Sequence, residues 1–457
     1  MKDLTQGSIA RHVLEMAGFI AAGMLVQTLY FLVDLFFVSG LGKEAVAGVS
    51  AGGTAFFVVL ALTQVLGVGT VTLISQAVGR KDQADASLAF NQSVVLSALC
   101  AALVLVVGYA VGGRYLGSIT ADAATASAAR TYLFWYLPGL GLQFALVAMG
   151  SALRGTGIVK PTMVVQSLTL VLNIVLAPVL IAGWGTGHPL GVMGAALASS
   201  VSIAVGVLML VVYFLRLEHY VAFIPAEWRP HLPTWRRMLN VGLPAGGEFA
   251  MMFLIVGVIY YSTRQFGADA QAGVAIGLRV MQSIFLPAMA VAFAVAPIAG
   301  QNFGARRAER VRATFRSAAI LGSGIMAALT VFCQLAPDLL VSIFSKEPRV
   351  VEVGATYLRI ISWNFVANGL IFTCSGLFQG IGNTWPALVS SGMRVLTFVV
   401  PTLWLARQPW VRIEHFWYLS VATIALQAVV SCLLVRSEMR RRLDFSTVGS
   451  PAVATAS

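Results

Sequence analysis

The sequence predicts an all-α integral membrane protein with twelve transmembrane helices, built as two parallel six-helix repeats. Composition, the length of the apolar runs and an internal repeat carry that prediction. Hydrophobic residues make up 58% of the chain and charged residues 11%, with a mean hydropathy of +0.85. So little polar surface cannot cover a soluble globule of 457 residues. Apolar runs of about 20 residues suit helices crossing roughly 30 Å of hydrocarbon, whereas a transmembrane barrel needs short alternating segments. Reading the chain against itself at an offset of 225 residues brings Gly42, Gly48 and Gly52 onto Gly267, Gly273 and Gly277. The same offset brings Gln76 and Gly79 onto Gln301 and Gly304, and Gly155, Gly157 and Pro161 onto Gly380, Gly382 and Pro386.

Expected spans centre on residues 15–38, 47–72, 91–113, 130–153, 161–183 and 191–216, then 239–263, 274–298, 316–340, 355–379, 386–406 and 415–436. The first follows the short polar start MKDLTQGSIAR and outruns a signal-peptide core, so it is expected to stay as a span. The second precedes the polar turn GRKDQAD, which opens the third. Pro138 and Pro178 inside the fourth and fifth spans, like Pro244, Pro287 and Pro401 later, are expected to act mainly as packing kinks. The sixth span leads into a polar stretch with Pro225, Pro230 and Pro233, read as a linker between the repeats. On this basis the N-lobe is residues 1–220, the linker 221–237, the C-lobe 238–440, and 441–457 a disordered tail.

Because an even number of spans separates the repeats, both halves enter the membrane in the same sense, which implies a pseudo-two-fold along the membrane normal. Loops and termini on the N-terminal side hold nineteen Lys and Arg residues against nine on the other. The positive-inside rule then places both termini in the cytoplasm, for a multi-pass protein of the cell inner membrane. This distribution accounts for the net charge of +12, and charges scattered through short loops do not make a nucleic-acid surface. An enzyme is not expected, since the five histidines sit in loops or at span ends and neither HExxH nor CxxC occurs. Cys100, Cys333, Cys374 and Cys432 read as packing residues, so neither a metal nor a cofactor is expected.

Two carboxylates fall inside apolar spans: Asp34 in MLVQTLYFLVDLFFV and Glu248 in NVGLPAGGEFAMMFL. A charge at that depth costs at least about 2.5 kcal/mol, so it faces a cavity or a partner. Tyr30 and Gln27 precede Asp34 by four and seven residues on one helix face. At such a position a proton or metal ion can compete with a cationic substrate, which is the chemistry an antiporter requires. The repeat partners are Ile259 for Asp34 and Gly23 for Glu248, so the acids arose asymmetrically. Asn173 could donate to Asp34, ligate an ion or simply pack. Gln64, Gln282, Tyr260, Arg279 and Arg394 are further candidates for a cavity lining, the arginines to neutralise a carboxylate, to snorkel or to meet substrate.

Taken together, MLVQTLYFLVDLFFVSGLG, LISQAVGRKDQADA, ALRGTGIVKPTM, NIVLAPVLI, GLPAGGEF, APIAGQNFGARRAER and GLFQGIGNTWP resemble the multidrug and toxic compound extrusion (MATE) transporters across nearly the whole chain. The resemblance implies a two-lobe antiporter expelling organic cations and other amphipathic compounds, driven by protons or sodium. It marks Asp34 and Asn173 as the cation-coupling pair and Glu248 as the C-lobe acid. Ala177 stands where some members carry an aspartate, and residues 353–382 lack the acid of NorM-like members, so NorM-like and DinF-like features are mixed. Sodium wants several oxygen ligands, and Asp34 with Asn173 supplies few, which favours the proton over sodium as coupling ion. Expected partners are small cationic or amphipathic substrates and membrane lipids, with no obligate protein partner. A flippase for a lipid-linked head group is the alternative, kept open by Arg279 and Arg394.

Overall fold

The protein is described here from a computed structural model covering residues 1–120 and 122–445. It is helical throughout, and the described residues contain no strand. In chain order the α-helices are α1 (Ile9–Ser39), α2 (Lys43–Gly53), α3 (Ala55–Gly79), α4 (Gln83–Ile119), α5 (Ala123–Gly155), α6 (Lys160–Ile181) and α7 (Val192–Arg216). After a 3-10 turn at Pro225–Trp228 come α8 (Leu232–Thr263) and a second 3-10 turn at Arg264–Phe266. The remainder are α9 (Ala268–Gly304), α10 (Ala308–Leu335), α11 (Pro337–Ser342), α12 (Pro348–Ile361), α13 (Asn364–Ile381), α14 (Trp385–Leu405) and α15 (Ile413–Arg442). Among the described residues, 11 helices are long and apolar enough to cross a bilayer, or 12 when the bent pair α12 and α13 counts as one.

Helix starts follow local chemistry. The Asp82 carboxylate accepts from Asp85 N at 3.0 Å and caps α4, and Asp122 caps α5 by accepting from Thr125 N at 2.8 Å. Breaks fall away from most of the span prolines. The second span parts at Thr54, between α2 and α3, and the tenth bends by 56° between α12 and α13. Pro138 instead stays inside α5. A proline strands the carbonyl four residues earlier, and that carbonyl, on Phe134, accepts from the Tyr109 hydroxyl at 3.1 Å. Replacing the lost backbone bond in this way lets the helix continue.

The chain divides into two compact units. The first comprises Met1–Lys2, Gly18–Val78 and Asp82–Gly247; the second comprises Asp3–Ala17, Gly79–Lys81 and the chain from Glu248. These boundaries differ from the expected lobes for identifiable reasons. The stretch read as a linker packs into the first unit, because Asn91 donates to Ala222 O at 2.9 Å and Gln92 to Arg229 O at 2.8 Å. Residues 232–237 already belong to α8, with Pro233 in its first turn, where a missing N–H is harmless. Residues 3–17 join the second unit through a strap of backbone contacts. Leu4 N donates to Gln301 Oε1 at 2.9 Å, Asn302 Nδ2 to Leu4 O at 3.2 Å, and Arg307 to Thr5 O at 2.6 Å. Arg441 and Arg442, expected in the tail, end α15, and residues 446–457 of that tail lie outside the described residues.

The internal repeat has a packing basis. A Cβ on Gly155 would stand 2.9 Å from Ile74 Cβ, and one on Gly380 would stand 2.8 Å from Ala299 Cβ; Ile74 and Ala299 are themselves repeat partners. Likewise Gly48 abuts Ala128 and Gly273 abuts Val353, again paired by the offset. Each unit therefore reuses the same close helix contacts, which small residues permit in a membrane bundle. Even the left-handed backbone recurs, at Lys81 (φ 60) and Arg306 (φ 55). Large side chains fill the interiors: Phe90 stacks on Phe214 at 4.7 Å in the first unit, and Tyr357 meets Trp417 edge-on at 5.4 Å in the second.

Candidate functional site

Each unit holds one of the two intramembrane carboxylates. In the first, Asp34 on α1 is 9% exposed and is enclosed mainly by tyrosines. Tyr132 on α5 faces its carboxylate, and Tyr136, one turn further on, lies 5.2 Å from Tyr132 between ring centroids. Tyr30, one turn before Asp34, accepts from Asn173 Nδ2 at 3.0 Å and donates to Ser199 O at 3.4 Å. The Asn173 amide thus reaches Tyr30, which stands beside the acid on the same face of α1. Among the described residues, two acceptors here are buried without a donor, Asp34 Oδ1 and Asn173 Oδ1. An unsatisfied buried acceptor costs about 1–3 kcal/mol, a cost that a hydrogen-bond donor or a cation placed there would relieve.

The second unit presents its carboxylate to a cavity. Glu248 on α8 accepts from Ser375 Oγ of α13 at 2.7 Å, and Gln379 one turn along donates to the same hydroxyl at 3.4 Å. The cavity is walled by Met251, Met252, Met289 and Phe293, with Asn368, Gln379, Gln427 and Arg394 as further polar groups. Gln427 is held by Ser391 at 3.1 Å. Thioethers and phenyl rings give a polarisable, adaptable wall, suited to flat apolar bodies of varied outline.

The remaining sequence candidates scatter. Gln27 on α1 is exposed, and Gln64 is half-buried on α3. In the second unit Tyr260, Arg279 and Gln282 are exposed and are not part of the Glu248 cavity. Among the described residues no three His, Cys, Asp or Glu side chains cluster in a way that could hold a metal ion.

Several side chains at these sites had not been singled out in the sequence: Tyr132, Tyr136, Ser199, Ser375 and Gln427. One signal was available, because Tyr132 and Tyr357 are partners in the 225-residue repeat. Tyr132 reaches Asp34, while the Tyr357 hydroxyl contacts Met281 Sδ at 3.4 Å. Ser375 gave no such signal, since a serine within a span is usually a packing residue.

Comparison with known proteins gives a consistent result. The MatE family signature matches twice, over residues 20–179 and 244–405, so the family unit is itself the duplicated half. The chain is 26% identical over 430 residues to a probable multidrug resistance protein NorM of Thermotoga maritima, covering 90% of this chain and 89% of that one. It is 24% identical over 442 residues to the multidrug export protein MepA of Staphylococcus haemolyticus, covering 96% and 95%. A solved outward-facing multidrug resistance MATE transporter of the MOP superfamily superposes with a TM-score of 0.89 at 24% identity, covering 96% of this chain and 98% of that one.

Proposed function

Since the chain belongs to the MatE family of membrane transporters, we propose that it is a proton-driven antiporter that exports organic cations and other amphipathic compounds by alternating access. The multidrug relatives support export of drug-like compounds, and none of them points to a lipid-linked head group. The observation that carries the coupling is the pair of orphan acceptors at Asp34 and Asn173. A proton on Asp34 turns one acceptor into a donor, whereas sodium would call for more oxygen ligands than these two supply. The cell inner membrane, with both termini cytoplasmic, is the placement that fits the loop charges.

In the cycle, ionised Asp34 and Glu248 draw a cationic substrate from the cytoplasmic side. A proton arriving from outside neutralises Asp34 and weakens that hold. The substrate leaves, and the protonated carrier returns. One elementary charge crossing the potential is worth about 2.3 kcal/mol per 100 mV. For a monovalent cation exchanged one-for-one with a proton this term cancels, leaving the pH gradient as the drive.

The test is efflux of a fluorescent lipophilic cation from proteoliposomes, under an imposed pH gradient and then under a sodium gradient. Efflux driven by pH and insensitive to sodium is the expected result. Efflux driven by sodium alone overturns the proton assignment, and no efflux under either gradient overturns the export reading.

A further inference from the structure

Building on the export reading, we propose that the cavity at Glu248 is a subsite for amphipathic compounds bearing both a cationic and an anionic group. Glu248 takes the cation and Arg394 the anion. Both side chains line the same cavity. The Glu248 carboxylate accepts from Ser375 at 2.7 Å, while Arg394 Nε is buried with no hydrogen-bond partner among the described residues. Among the described residues, neither makes an ion pair.

Position makes the arginine hard to explain as structure alone. Arg394 lies nine residues from Trp385 and eleven from Leu405, the ends of α14. At 1.5 Å per residue that is roughly 14 Å and 16 Å, beyond the reach of a side chain snorkelling to an interface. A guanidinium at mid-span is retained at a cost unless something satisfies it. Its fork of donors fits a carboxylate or phosphate.

The two charges also restrict the ligand. A simple monocation drawn to Glu248 meets repulsion from Arg394, strengthened by the low dielectric of the cavity. A simple anion meets the converse. A ligand with both groups turns each repulsion into a charge-assisted hydrogen bond, while Met251, Met289 and Phe293 cover its apolar body. The Met251 thioether also lies beside Gly392 of α14, its Cε 3.6 Å from where a Cβ would stand.

A matched pair of dyes tests this: a rhodamine with its carboxylate free, a zwitterion, and the ethyl ester of the same rhodamine, a monocation. Binding to purified full-length protein is measured by fluorescence anisotropy for wild type, Arg394→Gln, Arg394→Lys and Glu248→Gln, with each variant first checked for monodispersity. Wild type should prefer the zwitterion. Arg394→Gln should lower the zwitterion-to-ester affinity ratio by about tenfold or more, Arg394→Lys should recover part of it, and Glu248→Gln should weaken both dyes. An unchanged ratio in Arg394→Gln, or a wild-type preference for the ester, overturns the proposal while leaving the export reading intact. If wild type binds neither dye, the export reading falls as well. Should Arg394→Gln not yield folded protein, Arg394→Lys decides: a zwitterion-to-ester ratio below that of wild type supports the subsite, because lysine lacks the bidentate fork, and an unchanged ratio overturns it.

Discussion

Asp34 and Glu248 sit in the same kind of apolar helix but in different surroundings. Asp34 is 9% exposed and packed by tyrosine rings, in space that suits a proton or a small ion. Glu248 is half-buried on a cavity walled by methionine and phenylalanine, with an arginine in the same wall. In the proposed cycle Asp34 carries the proton step, and Glu248 contributes mainly to substrate binding. The two acids stand at unrelated positions of the 225-residue repeat, opposite Ile259 and Gly23.

Six substitutions sharpen that comparison, from the largest expected effect to the smallest. Asp34→Asn should reduce gradient-driven export at least about tenfold, because the exchanged proton loses its site, whereas Glu248→Gln should act mainly through weaker substrate binding. Equal loss of drive in both variants would break the distinction. Gly155→Val and Gly380→Val should each destabilise their own unit by about 1–3 kcal/mol through overpacking, seen as a lower midpoint in thermal unfolding of the detergent-solubilised protein. Matching shifts would confirm that the repeat glycines do the same packing job in both units. Tyr132→Phe removes the hydroxyl that faces Asp34 and should cost about 1 kcal/mol, read as a several-fold change in the proton concentration giving half-maximal export; no change would mean that the tyrosine only fills space.

The smallest effect concerns the N-terminal strap, outside the membrane. Burial pushes the Asp3 carboxyl up, but hydrogen bonds from Thr5, aided by Arg307 and Lys81, outweigh it and hold the carboxyl below its usual range. A lowered value stabilises the folded state above the unfolded value of about 4, and that contribution disappears as pH falls through the folded value. Asp3→Asn should therefore lower the unfolding midpoint slightly at pH 7 and leave it unaltered well below pH 4. A difference that persists at the lower pH would show that the charge of Asp3 is not what holds the strap.

The features legible in the sequence are those that depend on neighbouring residues. Long apolar runs announce the spans, and a lone carboxylate such as Asp34 or Glu248 is conspicuous inside one. Spacing alone put Tyr30 on the face of Asp34. Breaks did not follow the prolines, because Pro138 is rescued by Tyr109 from another helix whereas the span that parts at Thr54, just after Gly52 and Gly53, contains no proline. The strap was hidden for the same reason, since Leu4 is placed by Gln301 nearly three hundred residues away. Tyr132 was missed because an amphipathic ring in a span reads equally well as packing, and only its reach to Asp34 gives it a role. Arg394 was noticed, but the cavity it shares with Glu248 required three dimensions.

The most direct measurement is proton release on substrate binding, followed with a pH indicator in weakly buffered solutions of the purified protein. If Asp34 carries the exchanged proton, adding a cationic substrate to wild-type protein near neutral pH should release protons, and Asp34→Asn should release far fewer while still binding substrate. Release of the same size from Asp34→Asn, or none from wild type that binds substrate, would contradict proton exchange at Asp34.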